Sequence, residues 1–393
     1  MPIRPSLKAA QFQESVIREM TRLFLTHGGS EGVNLAQGFP DFPAPEAMKD
    51  AACAAIQADI NQYAITWGAK SLREAIADKT ARHYGTRPDP ERELTVACGA
   101  TEAMMATLLA LTDPGDEVIV FEPFYENYGP DTVLSGATPR FVRLHAPTWQ
   151  LNPDELAAAF NNTTRAIIVN TPHNPTGKVF SREELGWIAA LCQKWDVVAI
   201  TDEIYEHLIY EGTHHRLADL PGMAERTVTI TGLSKTYSAT GWRIGWVIAP
   251  PEATVAIRRV HDFLTVGAAA PLQEGAATAL RFPDSYYTEL ATRYKQKRDT
   301  FLEVVRSVGL LAETPPGAYY ILTDASAWLE RFSLPNDRAL AQWLVRERGL
   351  AIVPGSSFFR NPADGAHLIR FCYCKKPETL ARATQLLEAL SKK

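Results

Sequence analysis

The segment 227–249 places a lysine and an arginine just beyond a predicted strand. Its first residues, TVTIT, are apolar or β-branched, which is typical of a buried strand. The run stops at Gly232, Lys235 follows, and Arg243 comes eight residues later, before a second apolar run. Burial lowers the pKa of a lysine, so its neutral amine can form a Schiff base with a carbonyl near neutral pH. The planar guanidinium of Arg243 suits an anion such as a phosphate.

Polar and aromatic residues also follow the other predicted strands. We predict strands at 94–97, 117–121, 166–170 and 197–201, and helices alternate with them. Alternation with short connections favours a mostly parallel sheet covered by helices, an α/β fold. Because ligands of such sheets bind beyond the carboxyl ends of the strands, one site is expected to collect the residues found there, which are Thr101, Tyr125, Asn174, Asp202, Tyr205 and Lys235.

A phosphate group in this site would have several donors. The backbone amides of Gly99, Ala100 and Thr101 stand at the start of a predicted helix, where the helix dipole favours an anion. The hydroxyl groups of Thr101 and Ser234 and the guanidinium of Arg243 would complete the phosphate site.

An aromatic nitrogen heterocycle attached to Lys235 would account for the remaining residues. Asp202 would pair with a protonated ring nitrogen and keep the ring an electron sink. Asn174 and Tyr205 could reach a ring hydroxyl, and Tyr125 would stack on the ring face. The cofactor that combines this ring with a phosphate and an imine to lysine is pyridoxal phosphate, with Lys235, Asp202 and Tyr205 as the catalytic residues.

Composition excludes several other classes of protein. The chain has 393 residues, 46% hydrophobic and 22% charged, and a formal net charge of −5 without a basic cluster, so we expect no nucleic-acid partner. No apolar run approaches a membrane span, and the N-terminus lacks the apolar core of a signal peptide. Five scattered cysteines favour a reduced, cytoplasmic protein. The alternation in FCYC indicates one face of a strand, and no metal site is expected.

The chain is expected to form two domains. Residues 46–290 carry the strand–helix alternation and form the large domain. Residues 291–393 read as a smaller α+β domain, and residues 1–45 are expected to join it. Capping boxes are predicted where Ser71 and Ser181 each precede a glutamate by three residues.

The motifs of this chain, taken together in order, resemble those of class I aminotransferases of the fold-type I pyridoxal phosphate family. The branch with kynurenine, glutamine–phenylpyruvate, methionine and prokaryotic aspartate aminotransferases is especially similar. The resemblance covers nearly the whole chain and is carried by LAQGFPDF, NQYAITWG, GATEA, EPFYENY, NTPHNPTGKVF, TDEIYE, SKTYSATGWRIGW, GAYY and IRFCY.

The resemblance implies roles for further residues. Lys235 would move a proton between the substrate Cα and the cofactor C4′, and Arg370 would bind the substrate α-carboxylate through its two-pronged guanidinium. Gly38 would offer a backbone amide to that carboxylate, and Asn174 would contact the substrate as well. Tyr63 would reach the phosphate of a neighbouring subunit, which implies a homodimer with shared sites.

One position departs from the family pattern. Many members have a serine three residues before the lysine, whereas this chain has Gly232. One phosphate contact is therefore in doubt, unless Ser234 supplies it.

The implied reaction moves an amino group from an L-amino acid to a 2-oxo acid. Bulky neutral residues are expected to line the side-chain pocket, and no second arginine for a dicarboxylate stands out, so we predict neutral or aromatic substrates. The expected lining comprises Trp67, Tyr125, Tyr319, Phe358 and residues 263–270.

Other functions remain open. A β-lyase acting on cysteine S-conjugates would share the cofactor and the early steps. A non-catalytic binding protein could use the same fold, although the presence of Lys235, Asp202 and Arg370 disfavours it. A nicotinamide-dependent dehydrogenase is disfavoured because no GxGxxG follows a predicted strand.

Overall fold

The computed structural model describes residues 3–391. Residues 1, 2, 392 and 393 lie outside this range. They are the ends of the predicted segments 1–45 and 291–393. The helices are α1 Val16–His27, α2 Glu46–Gln57, α3 Lys70–Tyr84, α4 Ala100–Leu111, α5 Tyr128–Ser135, α6 Pro153–Ala159, α7 Arg182–Trp195, α8 Leu233–Thr236, α9 Pro251–Thr265, α10 Ala270–Leu280, α11 Asp284–Ser307, α12 Ser326–Arg331, α13 Asp337–Arg348 and α14 Pro377–Ser391.

The strands alternate with these helices in the first two thirds of the chain. They are β1 Val33–Asn34, β2 Leu94–Ala97, β3 Glu117–Glu122, β4 Thr138–His145, β5 Gln150–Leu151, β6 Thr164–Asn170, β7 Val198–Asp202, β8 Thr227–Gly232, β9 Gly245–Ile248, β10 Tyr320–Asp324, β11 Leu350–Ala351, β12 Val353–Pro354 and β13 Leu368–Cys372.

One large sheet organises the fold. Its eight strands lie in the order β2-β9-β8-β7-β6-β3-β4-β5. The neighbours β8, β7, β6, β3 and β4 run parallel, whereas β9 is antiparallel to both of its neighbours and β5 is antiparallel to β4. The predicted α/β fold with a mostly parallel sheet is confirmed.

Helices cover this sheet on both faces, as the side chains of β6 illustrate. Ile167 and Val169 belong to the core cluster that includes Leu185 of α7. Ile168, between them in sequence, belongs to a different cluster with Leu108 of α4. Because successive side chains of a strand point to opposite faces, this division shows a three-layer arrangement. It holds the carboxyl ends of the strands in fixed positions.

A second region lies around a three-stranded sheet of order β10-β13-β12, whose pairs are antiparallel. The N-terminal segment contacts this region: β1 pairs in parallel with β11, and the Leu35 carbonyl accepts a hydrogen bond from the Cys372 amide at 3.0 Å. These bonds bring the segment after α1 next to β13, which carries Arg370.

One of the two predicted capping boxes is wrong. Ala69 is the N-cap of α3, without a side-chain cap, and the Ser71 hydroxyl donates instead to Glu274 of α10, at 2.6 Å. This partner lies far away in the sequence, so local spacing could not indicate it. At α7, where no such competitor intervenes, Ser181 and Glu184 form both bonds of the box.

Two kinds of feature are absent from residues 3–391. No helix there is long and apolar enough to cross a membrane. The same residues contain no group of three or more histidine, cysteine, aspartate or glutamate side chains arranged to hold a metal ion.

Candidate active site

A cavity of about 330 Å³ opens at the carboxyl ends of the parallel strands. Residues of α1, α4, α5 and β13 and of the Gly38 loop line it. Most of the predicted site residues line it, namely Gly38, Ala100, Thr101, Tyr125, Asn174, Asp202, Tyr205, Ser234, Lys235, Arg243 and Arg370. This arrangement agrees with the prediction that the residues after the strands meet in one site.

Lys235 presents its amine to the cavity from the short helix α8, directly after β8. Its Nζ donates a hydrogen bond to the Gly38 carbonyl at 3.0 Å. Burial is the main cause that lowers the pKa of the amine to about 8; the positive charge of Arg243 acts in the same direction, and Cys374 and Asp202 oppose it. A substantial fraction of the amine is therefore neutral, and nucleophilic, near physiological pH.

An anion site lies at the start of α4. Gly99 is the N-cap, with φ of 86°, and no side chain caps the helix, so its first amides are free to bind an anion. A Cβ at position 99 would come within 2.3 Å of Nη2 of Arg243. The positive φ therefore favours glycine, and a side chain here would also displace the Arg243 guanidinium from the anion site. The Thr101 hydroxyl, 3.5 Å from the same Nη2, and the Ser234 side chain complete a site that fits a phosphate.

The unusual Gly232 has a packing explanation. It pairs with Gly245 across β8 and β9. A Cβ at position 232 would lie 2.8 Å from the Ile244 carbonyl oxygen and 2.9 Å from the Gly245 Cα. A serine would require the two strands to separate, so Ser234 is the residue of this turn that brings a hydroxyl group to the cavity.

Asp202 ends β7 on the floor of the cavity, where a cationic ring nitrogen could meet it. Its Oδ2 accepts a hydrogen bond from the Tyr128 hydroxyl at 2.7 Å, and its Oδ1 accepts one from the Ile204 amide at 3.2 Å. Burial raises the pKa of Asp202, and both hydrogen bonds act against that rise. The sequence analysis missed Tyr128, although it lies only three residues after Tyr125 in the EPFYENY motif.

Arg370 stands at the opposite end of the cavity and is fully buried. Its Nη1 donates to Asn174 Oδ1 and its Nη2 to the Ala36 carbonyl, each at 2.8 Å. Its Nε has no hydrogen-bond partner among residues 3–391, and the Tyr320 and Phe358 rings lie 4.3 and 5.1 Å from its Cζ. A buried guanidinium held by neutral partners favours an incoming carboxylate.

Tyr205, the third predicted catalytic residue, lines the same cavity as Asp202 and Arg370. Its hydroxyl is hydrogen-bonded to that of Tyr320 at 2.9 Å, and burial raises its pKa well above the usual value. The phenol is therefore neutral at physiological pH and available as a hydrogen-bond donor.

Several predicted lining residues lie elsewhere. Tyr319 and Phe358 are completely buried: the Tyr319 hydroxyl donates to the Gly38 carbonyl at 2.9 Å, and Phe358 packs behind Arg370. The Trp67 ring is covered by Arg258, 4.8 Å away. Among these aromatic residues only Tyr125 lines the cavity of the single chain. Tyr63, expected to serve a neighbouring subunit, is 87% exposed.

Three charged residues that were not predicted from the sequence also line the cavity, namely Arg18, Glu126 and Asp131. Arg18 lies in the first turn of α1 and is exposed at the rim. Asp131 lies on α5, one turn after Tyr128, and is buried. The three-residue spacing from Tyr128 puts Asp131 on the same face of α5, a local signal that could have identified it. Arg18 has no comparable signal, because α1 reaches the cavity only through the tertiary fold.

The fold and this cavity together define a pyridoxal-phosphate-dependent enzyme of fold type I. The family described as "Aminotransferase class I and II" matches residues 30–387, and the chain belongs to this family. It is an aminotransferase, which moves an amino group between an amino acid and a 2-oxo acid.

Named relatives share most of their length with this chain. Human kynurenine–oxoglutarate transaminase 1 is 39% identical over 380 residues, which cover 88% of this chain and 90% of the relative. Methionine aminotransferase of Escherichia coli K12 is 36% identical over 390 residues, 99% of each chain. The structure of N-succinyldiaminopimelate aminotransferase from Mycobacterium tuberculosis superposes with a TM-score of 0.93 at 36% identity, covering 98% of this chain and 100% of that one.

Proposed function

We propose that this aminotransferase acts on neutral or aromatic L-amino acids, with Lys235 as the catalytic amine and Arg370 as the carboxylate-binding residue. One observation carries the assignment. The buried guanidinium of Arg370, which has no ionic partner within the described part of the chain, lines the same cavity as the Lys235 amine. A carboxylate bound at Arg370 therefore leaves the adjoining Cα within the same enclosed space as a base.

In this proposal different groups of cavity residues hold the cofactor and the substrate. Bound pyridoxal phosphate supplies an electron sink for the charge that develops at the substrate Cα. The anion site of Gly99, Ala100, Thr101, Ser234 and Arg243 holds its phosphate. Asp202, oriented by the Tyr128 hydroxyl, keeps the proton on the ring nitrogen.

The proton transfers belong to Lys235. Its amine would take the proton from the substrate Cα and hand it on to the cofactor C4′, and a pKa of about 8 suits both directions near neutral pH. Tyr205 and Asn174 orient the ring, and Asn174 at the same time holds Arg370 in place. The enclosure of these groups limits competing reactions with water.

The character of the cavity wall supports the proposed amino-acid substrates. Although polar groups make up the larger part of the wall, it also presents apolar and aromatic side chains, among them Ile17, Phe39, Met104 and Tyr125. The names of two relatives, kynurenine–oxoglutarate transaminase and methionine aminotransferase, refer to amino acids with neutral side chains. No observation favours a β-lyase or a non-catalytic binding protein over an aminotransferase, because every feature that fits them fits an aminotransferase as well.

Arg18 favours a dicarboxylic 2-oxo acid as the amino acceptor. It supplies a guanidinium at the rim of the cavity, in addition to Arg243 and Arg370, and it stands in the first turn of a helix, where the dipole also favours anions. Arg370 would bind the 1-carboxylate and Arg18 the distal one. The name of the human relative, with oxoglutarate as acceptor, supports this choice.

Replacing Arg18 by glutamine should lower kcat/KM for 2-oxoglutarate about fivefold, the size expected of an exposed ion pair, and leave kcat/KM for phenylpyruvate unchanged. The matched control is Arg22→Gln on the same helix, where the guanidinium pairs with Glu14 and does not line the cavity. Steady-state kinetics with the two acceptors provide the measurement. Equal losses for both acceptors, or no loss for either, would remove Arg18 from the acceptor site.

We further propose a reduced, cytoplasmic homodimer with shared sites. The exposed rings of Tyr63 and Phe263, at 87% and 92%, are the kind of surface that a second copy of the chain would cover. The division into a large domain of residues 46–290 and a small domain of residues 291–393 joined by residues 1–45 belongs to the same proposal.

The function is tested by visible spectroscopy of the purified protein loaded with pyridoxal phosphate. Single L-amino acids are added, and the oxo acids formed are identified by mass spectrometry. We expect neutral or aromatic amino acids to change the spectrum fastest and to yield their own oxo acids. Release of pyruvate and a thiol from a cysteine S-conjugate without an acceptor would instead favour the lyase. Absence of any cofactor absorption would contradict the assignment of Lys235.

A further inference from the structure

Asp131 is a buried carboxyl group without a role in the chemistry described so far. It lines the cavity from α5 and is only 7% exposed. Its Oδ2 is buried and has no hydrogen-bond partner among residues 3–391. Burial raises its pKa to about 7, and no neighbouring charge offsets this effect. A carboxylate in this condition is costly unless an occupant of the cavity supplies its partner.

The location of Asp131 indicates which part of an occupant it faces. Tyr128, three residues earlier on α5, donates to Asp202, and α4 with its phosphate site packs against α5. Arg370 lines the cavity from β13 instead. Asp131 therefore shares its helix with Tyr128 and its neighbourhood with the start of α4, the residues that would hold the cofactor, and is placed to act on the cofactor and not on the substrate carboxylate.

The groups around Asp131 leave its charge largely uncompensated. From α4 the cavity wall has only the uncharged Ala100, Thr101 and Met104. Lys8, from the segment that packs on α5, is bound to the Leu134 carbonyl near the other end of that helix. The charged or titratable groups that line the same cavity are Arg18, Tyr125, Glu126, Tyr128, Asp202, Tyr205, Lys235, Arg243 and Arg370.

We propose that Asp131 is a second carboxyl group of the cofactor site, a positioning residue that acts with Tyr128 and Asp202 to hold positive charge on the bound cofactor. This inference rests on the proposed function, since it needs the cofactor joined to Lys235. An ionised carboxyl in a poorly hydrated wall adds negative potential across the ring. That potential stabilises every protonated form of the lysine-linked cofactor, so it raises the pH at which the cofactor loses its proton.

The test is a pH titration of the visible absorption of the cofactor-loaded protein. Asp131→Asn keeps the shape of the side chain but removes its charge. We expect the midpoint of the absorption titration to fall by at least about half a pH unit. Asp131→Leu removes the polar group altogether and should lower the midpoint by a similar amount. The matched control is Glu126→Gln, which removes a carboxyl that lines the same cavity but already accepts a hydrogen bond from Ser15. Its midpoint should move less.

The outcomes separate this inference from the proposed function. If the wild-type protein shows no titrating cofactor absorption, the assignment of Lys235 fails first. If the wild type titrates and both Asp131 variants stay within about 0.2 units of it, the role of Asp131 is overturned while the proposed function stands. A shift as large in Glu126→Gln would also overturn it, because any nearby carboxylate would then suffice.

Thermal melting of the cofactor-free variants guards against misfolding. The pKa of Asp131 is raised in the folded state, so its effect on stability is absent at low pH and becomes unfavourable as the pH rises from about 4 towards 7. Asp131→Leu should therefore melt no lower than wild type at pH 8. If it melts well below, Asp131 is a structural residue and the inference is wrong.

Discussion

Replacing Lys235 by alanine should reduce the rate of transamination by about 10⁴-fold or more. The variant loses the amine that attaches the cofactor and the base that serves the substrate Cα, and no other lysine among residues 3–391 lines the cavity. The measurement is the single-turnover rate of oxo-acid formation with the fastest amino acid found for wild type.

Two control experiments accompany the Lys235→Ala measurement. Lys235→Arg should be about as inactive, because a guanidinium keeps its proton and cannot act as a base. Cofactor binding should persist in Lys235→Ala, since the phosphate site at α4 does not involve the amine. Turnover at a substantial fraction of wild type, with the cofactor bound, would contradict the proposed mechanism.

Replacing Arg370 should chiefly impair substrate capture. We expect kcat/KM to fall about 10³-fold in Arg370→Ala and about 10²-fold in Arg370→Lys, which keeps the charge but loses the planar pair of donors. The reason is that the substrate carboxylate loses a buried, two-pronged partner already fixed by Asn174 and the Ala36 carbonyl. Saturation kinetics that separate kcat from KM provide the measurement.

The control for Arg370 is another buried arginine. Arg298 is 2% exposed, pairs with Glu211 and Asp299 and lies outside the cavity. Arg298→Lys should lower the melting temperature without a selective rise in KM. An unchanged kcat/KM in Arg370→Ala, in a protein that melts normally, would remove Arg370 from the carboxylate site.

Most of the large sheet and its functional edge could be predicted because their signals are local. The β-branched runs identify β6, β7 and β8, and the residues that follow each strand meet at one edge whatever the details of packing. Lys235, Asp202 and Asn174 are all of this type. The antiparallel direction of β9 was harder to foresee, since a strand of four residues carries no directional signal.

The rest of the cavity depends on contacts between distant segments. Arg18 comes from a helix near the N-terminus, and nothing in the residues around it indicates that α1 borders the cavity. Tyr319 and Phe358 have the bulky neutral side chains expected of a pocket lining, yet their rings lie behind Gly38 and Arg370. Sequence periodicity specifies the face of an element, whereas the partner of that face is fixed only by the assembled fold.

The pairing of the Gly38 segment with β13 also has a consequence for biosynthesis. Arg370 donates to the carbonyl of Ala36, 334 positions earlier in the chain. At a translation rate of about 5–20 residues per second, roughly 20 to 60 s pass between the synthesis of these two partners. When synthesis reaches Ile248, every strand of the large sheet and Lys235 have been made, whereas Arg370 has not. The growing polypeptide thus acquires its reactive amine well before the residue that binds a substrate carboxylate.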